Sequence, residues 1–223
     1  MINYIYEDTL FGNQIIGISK GKIKLIECDN RIVDKMVEKY HYSHKATKNR
    51  FKSFLINDGL GFIQLGYGIR PYIKSKISKL ITHDNYCEFD RMWLSDELPK
   101  FSESQAIGLL IRYLKLKYKR IKFIITYADG SMGNTGIIYQ ATNAIKIGKV
   151  NVDFYILTNG ERIHPVSMYH RHKTRAWSVI NKLYPGIKHI TDEFQYRYLY
   201  ILDKKILRQF LINKTHRGFK ERY

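Results

Sequence analysis

The stretch Ile121-Lys-Phe-Ile-Ile-Thr-Tyr-Ala-Asp-Gly-Ser-Met-Gly-Asn-Thr-Gly-Ile-Ile-Tyr-Gln-Ala-Thr-Asn-Ala144 decides the fold that the sequence predicts. Residues 122–127 are apolar and rich in β-branched side chains, as is typical of a buried central strand. Gly130, Gly133 and Gly136 then let the backbone turn sharply before the chain enters a helix. We therefore predict a strand, a turn and a helix, the unit from which α/β folds are built.

Asp129 comes directly after this strand, at the carboxyl end where open α/β sheets bind their ligands. A carboxylate there can accept a proton or a hydrogen bond from an amine, or it can simply cap the glycine-rich turn. Helical spacing predicts that Tyr139 and Asn143 share one face that looks toward Asp129. Tyr139 can stack on a base, donate a hydrogen bond or ligate a metal, unless it packs in the core.

The composition is that of a globular chain of 223 residues, with 44% apolar and 14% aromatic residues. This length predicts one domain, with a catalytic core over residues 1–165 and a basic extension over residues 166–223 that completes the sheet. We expect no signal peptide and no membrane partner, since no apolar run reaches roughly 20 residues. Cys28 and Cys87 form neither a disulfide framework nor a zinc motif, which favours a reduced cytoplasm.

The net charge is +18, from 38 basic and 20 acidic residues. Nucleic acid is the first candidate partner, because each phosphate that a basic side chain neutralises releases counterions. The 18 tyrosines favour this partner, since aromatic rings among basic side chains can stack on bases. The alternative is a codon bias toward lysine and tyrosine without any binding. Residues 164–175 and the last twenty residues are basic and are candidate phosphate contacts.

Periodicity and turn signals predict the other elements. The first half contains a strand over 22–28, a helix capped by Asp29 or Asn30, a hairpin of strands 51–56 and 61–69, and a strand over 87–94. Ser102 and Gln105 form a capping box for a helix whose apolar face comprises Ala106, Leu109, Leu110, Tyr113 and Leu114. Two more strands are predicted near 152–157 and 196–202, and the paths of 70–86 and 176–195 stay open.

This order of elements predicts an α/β fold, with a mixed central sheet flanked by helices. It resembles the fold of the GNAT acyltransferases, here with a basic carboxyl-terminal elaboration. One fold hosts many chemistries, so individual residues must decide the function.

Further candidate residues lie beside predicted turns. His41 and His44 stand three residues apart at a helix end, a spacing that permits metal binding, although His41 can equally be a helix cap. Arg91 lies on a strand among aromatic residues and is either a structural ion-pair partner or an anion-binding group. Ser104 lies in the first turn of a helix, where backbone amides attract anions, and Gly108 follows one turn later. Tight packing is an equally good explanation for Gly108.

Five short motifs occur between residues 30 and 175. They are Tyr40-His-Tyr-Ser-His44, Phe89-Asp-Arg-Met-Trp-Leu94, Phe101-Ser-Glu-Ser104, Thr126-Tyr-Ala-Asp129 and Gly136-Ile-Ile-Tyr-Gln-Ala-Thr-Asn143. In this order they resemble the Mom family of phage DNA-modification proteins. The chain has no phosphate-binding loop of the G-x-x-x-x-G-K type and no zinc-deaminase motif.

The resemblance implies a GNAT-related transferase that converts adenine in double-stranded DNA to an N6-carbamoylmethyl derivative and so protects phage DNA from restriction in the host cytoplasm. It also admits a homodimer. The implied catalytic residues are Asp129, Tyr139, Tyr42, Arg91 and Ser104. The implied iron ligands are His41, Tyr42, Asp129 and Tyr139. The implied donor is acetyl-CoA, with Ser104, Gln105 and Gly108 as its contacts, or a glycine-related molecule, since simple acetyl transfer does not yield a carbamoylmethyl group.

An adenine within a duplex must be flipped out to reach a catalytic carboxylate, and Tyr42 or Tyr139 could stack on it. The predicted DNA contacts are His44, Lys45, Arg171, Lys173 and Arg175. Two other functions remain open on the residues alone. One is an ordinary GNAT acyltransferase for a protein, a small amine or tRNA, and the other is a DNA-binding accessory protein without enzyme activity.

Overall fold

The computed structural model describes residues 14–18, 23–68, 77 and 81–217. A mixed sheet of eight strands forms its centre, in the order β1-β2-β3-β4-β5-β6-β11-β7. The eight strands are β1 Gln14–Ile18, β2 Lys24–Cys28, β3 Arg50–Ile56, β4 Gly61–Tyr67, β5 Tyr86–Leu94, β6 Phe123–Asp129, β7 Ile145–Asn151 and β11 Phe194–Ile201. Only the β5–β6 pair is parallel within these described strands.

Helices cover both faces of this sheet. The helices of the described chain are α1 Asn30–Tyr40, α2 Ser102–Lys117, α3 Ile137–Ala141, α4 Pro165–His172, α5 Trp177–Leu183 and α6 Lys204–Arg217, of which α4 and α5 belong to the insertion described below. On one face, Leu110 of α2 packs in a cluster with Ile124 of β6. On the other, Phe210 of α6 packs in a cluster with Ile125 of β6. The predicted mixed α/β sheet flanked by helices is therefore confirmed, and β6 is buried on both faces.

Most of the predicted elements in the first half are present. The hairpin of β3 and β4 turns at Asn57–Gly59, and α1 begins after Asp29, whose side chain accepts a hydrogen bond from the Arg31 amide. Val33 and Val37 are fully buried against Phe62, as the helical spacing requires. Much of the connection over residues 70–86 lies outside the described residues.

The predicted capping box at the start of α2 is wrong. Phe101 is the N-cap residue, with a left-handed backbone (φ 69°) and no side-chain cap. Ser102 is instead the first helical residue, and its hydroxyl donates to the Pro99 carbonyl (2.5 Å). The turn that follows Pro99 therefore fixes where the helix begins. The predicted apolar face is confirmed, since all five of its residues are buried.

The segment after β6 also differs from the prediction. A 3₁₀ turn over Gly130–Met132 precedes α3, which has only five residues. Asn143 lies beyond the end of α3 with a left-handed backbone (φ 66°), so it does not share a helical face with Tyr139. The chain then forms β7, a strand that the sequence did not predict. Helical spacing and alternation are hard to tell apart in a short segment of this kind.

Residues 152–193 form an insertion between β7 and β11. It contains a second antiparallel sheet, with β8 Phe154–Ile156 between β9 Arg162–Ile163 and β10 Lys188–Ile190, together with α4 and α5. The insertion has its own buried cluster, which includes Tyr155, Met168 and Ile180. The predicted Asn159–Gly160 turn is the β8–β9 connection, where Gly160 has φ +84°. The division at residue 165 stays a prediction, although β11 does pair with both β6 and β7.

The parallel strands at the centre separate toward their carboxyl ends. The last β5–β6 pair joins Phe89 to Thr126, whereas the strands continue to Leu94 and Asp129. On its other side, β5 changes register against β4 at Asp90. This separation opens a gap in the sheet beside Arg91 and Asp129. Within the described ranges, no helix combines the length and apolar character needed to cross a membrane.

Candidate active site

A cavity of about 710 Å³ lies at the carboxyl end of β6, between the core and the insertion. The core contributes the loop after α1, one residue of β5, the end of β6 and parts of β7 and β11. The insertion contributes one wall, from β8 and the β8–β9 hairpin. The lining residues are Tyr42, Ser43, His44, Lys45, Arg91, Asp129, Val150, Asn151, Val152, Asp153, Phe154, Gly160, Glu161, Arg162, His164 and Gln195.

Asp129 lies in this cavity as the last residue of β6. Its Oδ1 accepts hydrogen bonds from the Ser131 amide (3.1 Å) and the Ser131 hydroxyl (2.5 Å), so the predicted turn-capping role is present. Its Oδ2 lies 3.4 Å from Nη1 of Arg162. The Asp129 side chain is only 14% exposed. Asp129 therefore both caps the turn and presents an ion-paired carboxylate in the cavity.

Arg162 is a site residue that sequence reasoning missed. It comes from β9 of the insertion, 33 residues after Asp129, and its Nη2 donates to the Ser131 hydroxyl (2.5 Å). Its guanidinium carbon also lies 3.9 Å from the Phe154 ring centroid, so the cation contacts an aromatic face of the cavity wall. The Asn159–Gly160 turn indicated the hairpin, but no sequence signal showed that this hairpin folds back onto the end of β6.

The loop after α1 places Tyr42 beside three charged groups. Desolvation of its hydroxyl and, next, the charge of Asp129 raise the pKa of Tyr42, while Arg91 and Arg162 act in the opposite direction. These effects require Tyr42 to lie within electrostatic reach of all three residues. The residue is 57% exposed, so its ring is accessible from the cavity. The structure thus brings together Tyr42, Asp129 and Arg91, as the sequence predicted.

His41 is the C-cap residue of α1, which agrees with its alternative role as a helix cap. Its Nδ1 accepts a hydrogen bond from the Ser43 amide (3.1 Å), and its ring lies 4.2 Å from the ring of Tyr42. Burial, and then the charges of Arg91 and His44, lower the pKa of His41 to about 4. His41 is therefore neutral at physiological pH and supports the position of Tyr42.

Tyr139 packs in the core and does not line the cavity. It is 8% exposed, and its ring lies 6.1 Å from Phe89 and 5.6 Å from Tyr198. Burial raises its pKa, which keeps the phenol protonated. Stacking of Tyr139 on a base is therefore wrong, and the alternative of core packing is what the structure shows.

The iron site with His41, Tyr42, Asp129 and Tyr139 as ligands stays a prediction, and two of these side chains already have protein partners. His41 Nδ1 is engaged by Ser43, and the Asp129 carboxylate is engaged by Ser131 and Arg162. In the part of the chain that the structure describes, no three His, Cys, Asp or Glu side chains form a group that could hold a metal.

Arg91 lies at the point where β5 and β6 separate. Its Nη1 donates to the Asp90 carbonyl (2.7 Å), and its Nε is buried with no hydrogen-bond partner in the described part of the chain. A buried guanidinium donor without a partner is costly unless a ligand supplies an acceptor. Arg91 can therefore bind a polar or anionic group in the cavity.

The predicted cofactor contacts lie on the first turns of α2, outside this cavity. The Ser104 hydroxyl donates to the Phe101 carbonyl (2.9 Å), and no side chain caps the helix. Ser104, Gln105 and Gly108 all precede the middle of α2. A Cβ at Gly108 would lie 3.4 Å from Nη2 of Arg112, an ordinary contact, so tight packing does not explain this glycine. The uncapped helix start fits an anionic group such as a phosphate.

The predicted DNA contacts lie in two places. His44 and Lys45 line the cavity, where the Lys45 ammonium lies 3.4 Å from the Arg162 carbonyl oxygen and 4.0 Å from Glu161. Arg171 on α4 donates to the same Glu161 carboxylate (3.0 Å). Lys173 and Arg175 are exposed after α4. The insertion thus carries basic residues beside the cavity wall.

The chain is similar in sequence to a characterised phage protein and in fold to acetyltransferases. It is 26% identical over 198 residues to the methylcarbamoylase Mom of Escherichia phage Mu, a match that covers 87% of this chain and 82% of the relative. An acetyltransferase from Salmonella typhimurium that modifies the N-terminal serine of ribosomal protein L7/L12 aligns at a TM-score of 0.48 and 11% identity, over 85% of this chain and 99% of that one. Arabidopsis thaliana NAA60 in complex with acetyl-CoA aligns at 0.46 and 10% identity, over 80% and 99%.

The chain also matches the model of a protein family, over a much longer range of residues than any of the five short motifs covers. The model of the Mom protein family matches residues 22–217, which include all the elements that line the cavity. Because this match spans most of the chain, the protein belongs to the Mom protein family.

Proposed function

We propose that this protein is a transferase that modifies adenine in double-stranded DNA at N6, forming a carbamoylmethyl-type derivative that protects phage DNA from restriction. The match to the Mom family over residues 22–217 carries this proposal. The phage Mu relative is named a methylcarbamoylase, which is a group-transfer activity. The cavity around Asp129 supplies the residues that such a reaction on an exocyclic amine needs.

The target adenine enters the cavity as a flipped base. A base inside a duplex cannot reach a buried carboxylate, and the unstacking costs a few kcal/mol. A cavity of about 710 Å³ has room for a purine together with part of a donor. Tyr42, which is exposed and lines the cavity, replaces Tyr139 as the ring that stacks on the base.

Asp129 acts on the N6 amino group. The N6 lone pair is delocalised into the purine ring, so this nitrogen is a weak nucleophile. When Asp129 accepts a hydrogen bond from N6, it makes the lone pair more available as the bond to the donor carbon forms. The N6 proton then passes to the carboxylate, and the leaving group of the donor departs with its bonding electrons.

The donor binds where β5 and β6 separate. Arg91 supplies its buried Nε, which has no partner among the described residues, as a donor for the polar end of this molecule. For an acyl-CoA-type cofactor, the uncapped first turn of α2, with Ser104, Gln105 and Gly108, would hold the phosphates. Such a cofactor would supply a thioester-activated carbonyl, but its direct transfer to N6 would give an acyl adduct, so a carbamoylmethyl product requires a donor with glycine-like atoms. A glycine-related donor would use the same Arg91 subsite.

Double-stranded DNA is the proposed partner, bound by the basic residues around the cavity. His44 and Lys45 lie at the cavity itself, and Arg171, Lys173 and Arg175 lie on the insertion. Their phosphate contacts would hold the duplex in register while one base enters the cavity. A homodimer is a separate prediction, which light scattering of the purified protein tests.

Mass spectrometry of nucleosides tests the proposal. DNA is isolated from bacteria that express this protein and from the same strain with an empty vector, and both are digested to nucleosides. We expect a new adenosine adduct only with the protein. Unmodified DNA despite abundant folded protein would overturn the proposal, and acetylated protein, amine or tRNA in the same cells would indicate an ordinary acyltransferase instead.

A further inference from the structure

Arg162 joins the insertion to the core at the candidate active site. It lies on β9, whereas Asp129 and Ser131 belong to the end of β6 and the turn that follows. Three contacts fix its guanidinium: Nη1 lies 3.4 Å from Asp129 Oδ2, Nη2 donates to the Ser131 hydroxyl at 2.5 Å, and the Phe154 ring lies beneath it at 3.9 Å. A planar guanidinium held at both ends of its fork imposes a direction on its partner.

The hydrogen bonds to Asp129 determine which carboxylate oxygen can meet a substrate. An ionised carboxylate has about four acceptor positions, two on each oxygen. The Ser131 amide and hydroxyl take both positions on Oδ1. Arg162 takes one position on Oδ2. Among the contacts of the described residues, this leaves one acceptor position, on Oδ2.

We propose that Arg162 is a positioning residue for the transfer reaction. It holds the Asp129 carboxylate so that the remaining acceptor position of Oδ2 faces the N6 amino group of the bound adenine. The inference rests on the proposed function and deepens it, because it assigns the accepting atom and the residue that orients it. Arg162 acts through Asp129 and Ser131 and need not touch the base.

The same hairpin connects this orientation to the DNA-binding side of the molecule. The Arg162 carbonyl accepts a hydrogen bond from Lys45 (3.4 Å), and the adjacent Glu161 pairs with Arg171 (3.0 Å). Two of the proposed phosphate contacts therefore flank the residue that orients Asp129. A duplex bound to the insertion holds the β8–β9 hairpin, and so Arg162, in place.

Steady-state kinetics of three variants test the assignment. Arg162→Gln removes the charge and the fork, Arg162→Lys keeps the charge, and Arg120→Gln removes an equal charge from an exposed position after α2. A misoriented carboxylate costs roughly 10²-fold in rate, so we expect kcat to fall by that order in Arg162→Gln with KM for the duplex within about twofold. Arg162→Lys should recover part of the loss, and Arg120→Gln should match the wild type.

A double-mutant cycle with Ser131→Ala distinguishes positioning from direct contact. Both side chains orient one carboxylate, so the double variant should lose much less than the product of the two single losses. Fully multiplicative losses would overturn the inference, as would a higher KM with unchanged kcat. A wild-type protein that forms no adduct defeats the proposed function itself, whereas an active wild type with an equally active Arg162→Gln defeats only the role of Arg162.

Discussion

At the scale of single residues, Asp129 both caps a turn and presents an ion-paired carboxylate in the cavity. Its Oδ1 accepts hydrogen bonds from Ser131 and so caps the Gly130–Met132 turn. Its Oδ2 pairs with Arg162 and faces the cavity. The division of labour between its two oxygens is possible because the strand ends at the carboxylate. Because these capping contacts are internal to the chain, they hold the proposed catalytic acceptor in position without a substrate.

Asparagine at position 129 should abolish adduct formation. Asp129→Asn keeps an acceptor for Ser131 but removes the proton acceptor for N6, and general-base catalysis is worth about 10²–10⁴-fold in rate. Binding of the duplex should change by less than about twofold, since phosphate contacts dominate affinity. Adduct yield and duplex affinity are measured together, with the exposed Asp58→Asn as a matched control. Equal adduct levels would remove Asp129 from the mechanism.

Asp90, next to Arg91, predicts a specific dependence of stability on pH. Burial and then the charge of Glu88 raise the pKa of Asp90 from 3.8 to about 7, against the opposing effects of Arg91 and Thr47. Between about pH 4 and pH 7 the unfolded chain loses a proton that the folded protein retains. The stability that this group contributes is therefore complete below about pH 4 and is lost as the pH rises through 7.

The isosteric change Asp90→Asn removes this titration. At pH 8 the variant should be more stable than the wild type by about 2–4 kcal/mol, and near pH 4 the two should be similar. Urea unfolding at both pH values measures the difference. An equal difference at pH 4 and pH 8 would show that the carboxyl does not titrate as its burial requires.

At the scale of elements, the sequence predicted what local periodicity controls. The apolar face of α2 and the double burial of β6 follow from residue spacing, and both are present. The capping box at the start of α2 was predicted wrongly and the strand β7 was not predicted, since both depend on contacts outside the segment. Ser102 was expected to be the N-cap residue, but Phe101 occupies that position with a left-handed backbone. The reason is the turn after Pro99, which sets the direction of the chain.

The candidate site shows the same limit. Tyr42 in the loop after α1, Arg91 on β5 and Asp129 at the end of β6 were predicted as site residues, and they meet at one cavity. Tyr139 was assigned to the cavity because the prediction made α3 a longer helix with a polar face, whereas α3 has only five residues. Arg162 was missed because its role arises from a fold-back over 33 residues, which neither charge nor periodicity encodes.

The insertion should behave as a cooperative unit of lower stability than the main sheet. Met168 is fully buried at its centre, and truncation to alanine at such a site costs about 2–5 kcal/mol. Because the insertion core is small, we expect Met168→Ala to open it locally and to abolish adduct formation, while the eight-stranded sheet keeps its hydrogen-exchange protection. The exposed Leu183→Ala on α5 serves as the control. Loss of protection in both sheets together would show that they unfold as one unit.

At the scale of the whole molecule, the charge of +18 favours a polyanion before any specific contact forms. The basic residues of the insertion extend this attraction to the cavity wall. The proposal therefore assigns binding of the duplex to the overall charge, and the reaction to Arg91 and Arg162 within the cavity.

Duplex affinity should fall steeply with salt, and the steepness should count the phosphate contacts. Each neutralised phosphate contributes about −0.9 to the slope of log K against log salt concentration, so Lys173→Gln and Arg175→Gln should each reduce the slope by about 1. Lys115→Gln removes the same charge from an exposed position near the end of α2, outside the insertion, and should leave the slope unchanged. Fluorescence anisotropy with a labelled duplex between 50 and 200 mM salt, a range over which such complexes lose roughly 10³–10⁵ in affinity, measures all four proteins. An equal drop in slope for all three variants would mean that net charge, and not the surface of the insertion, determines where the duplex binds.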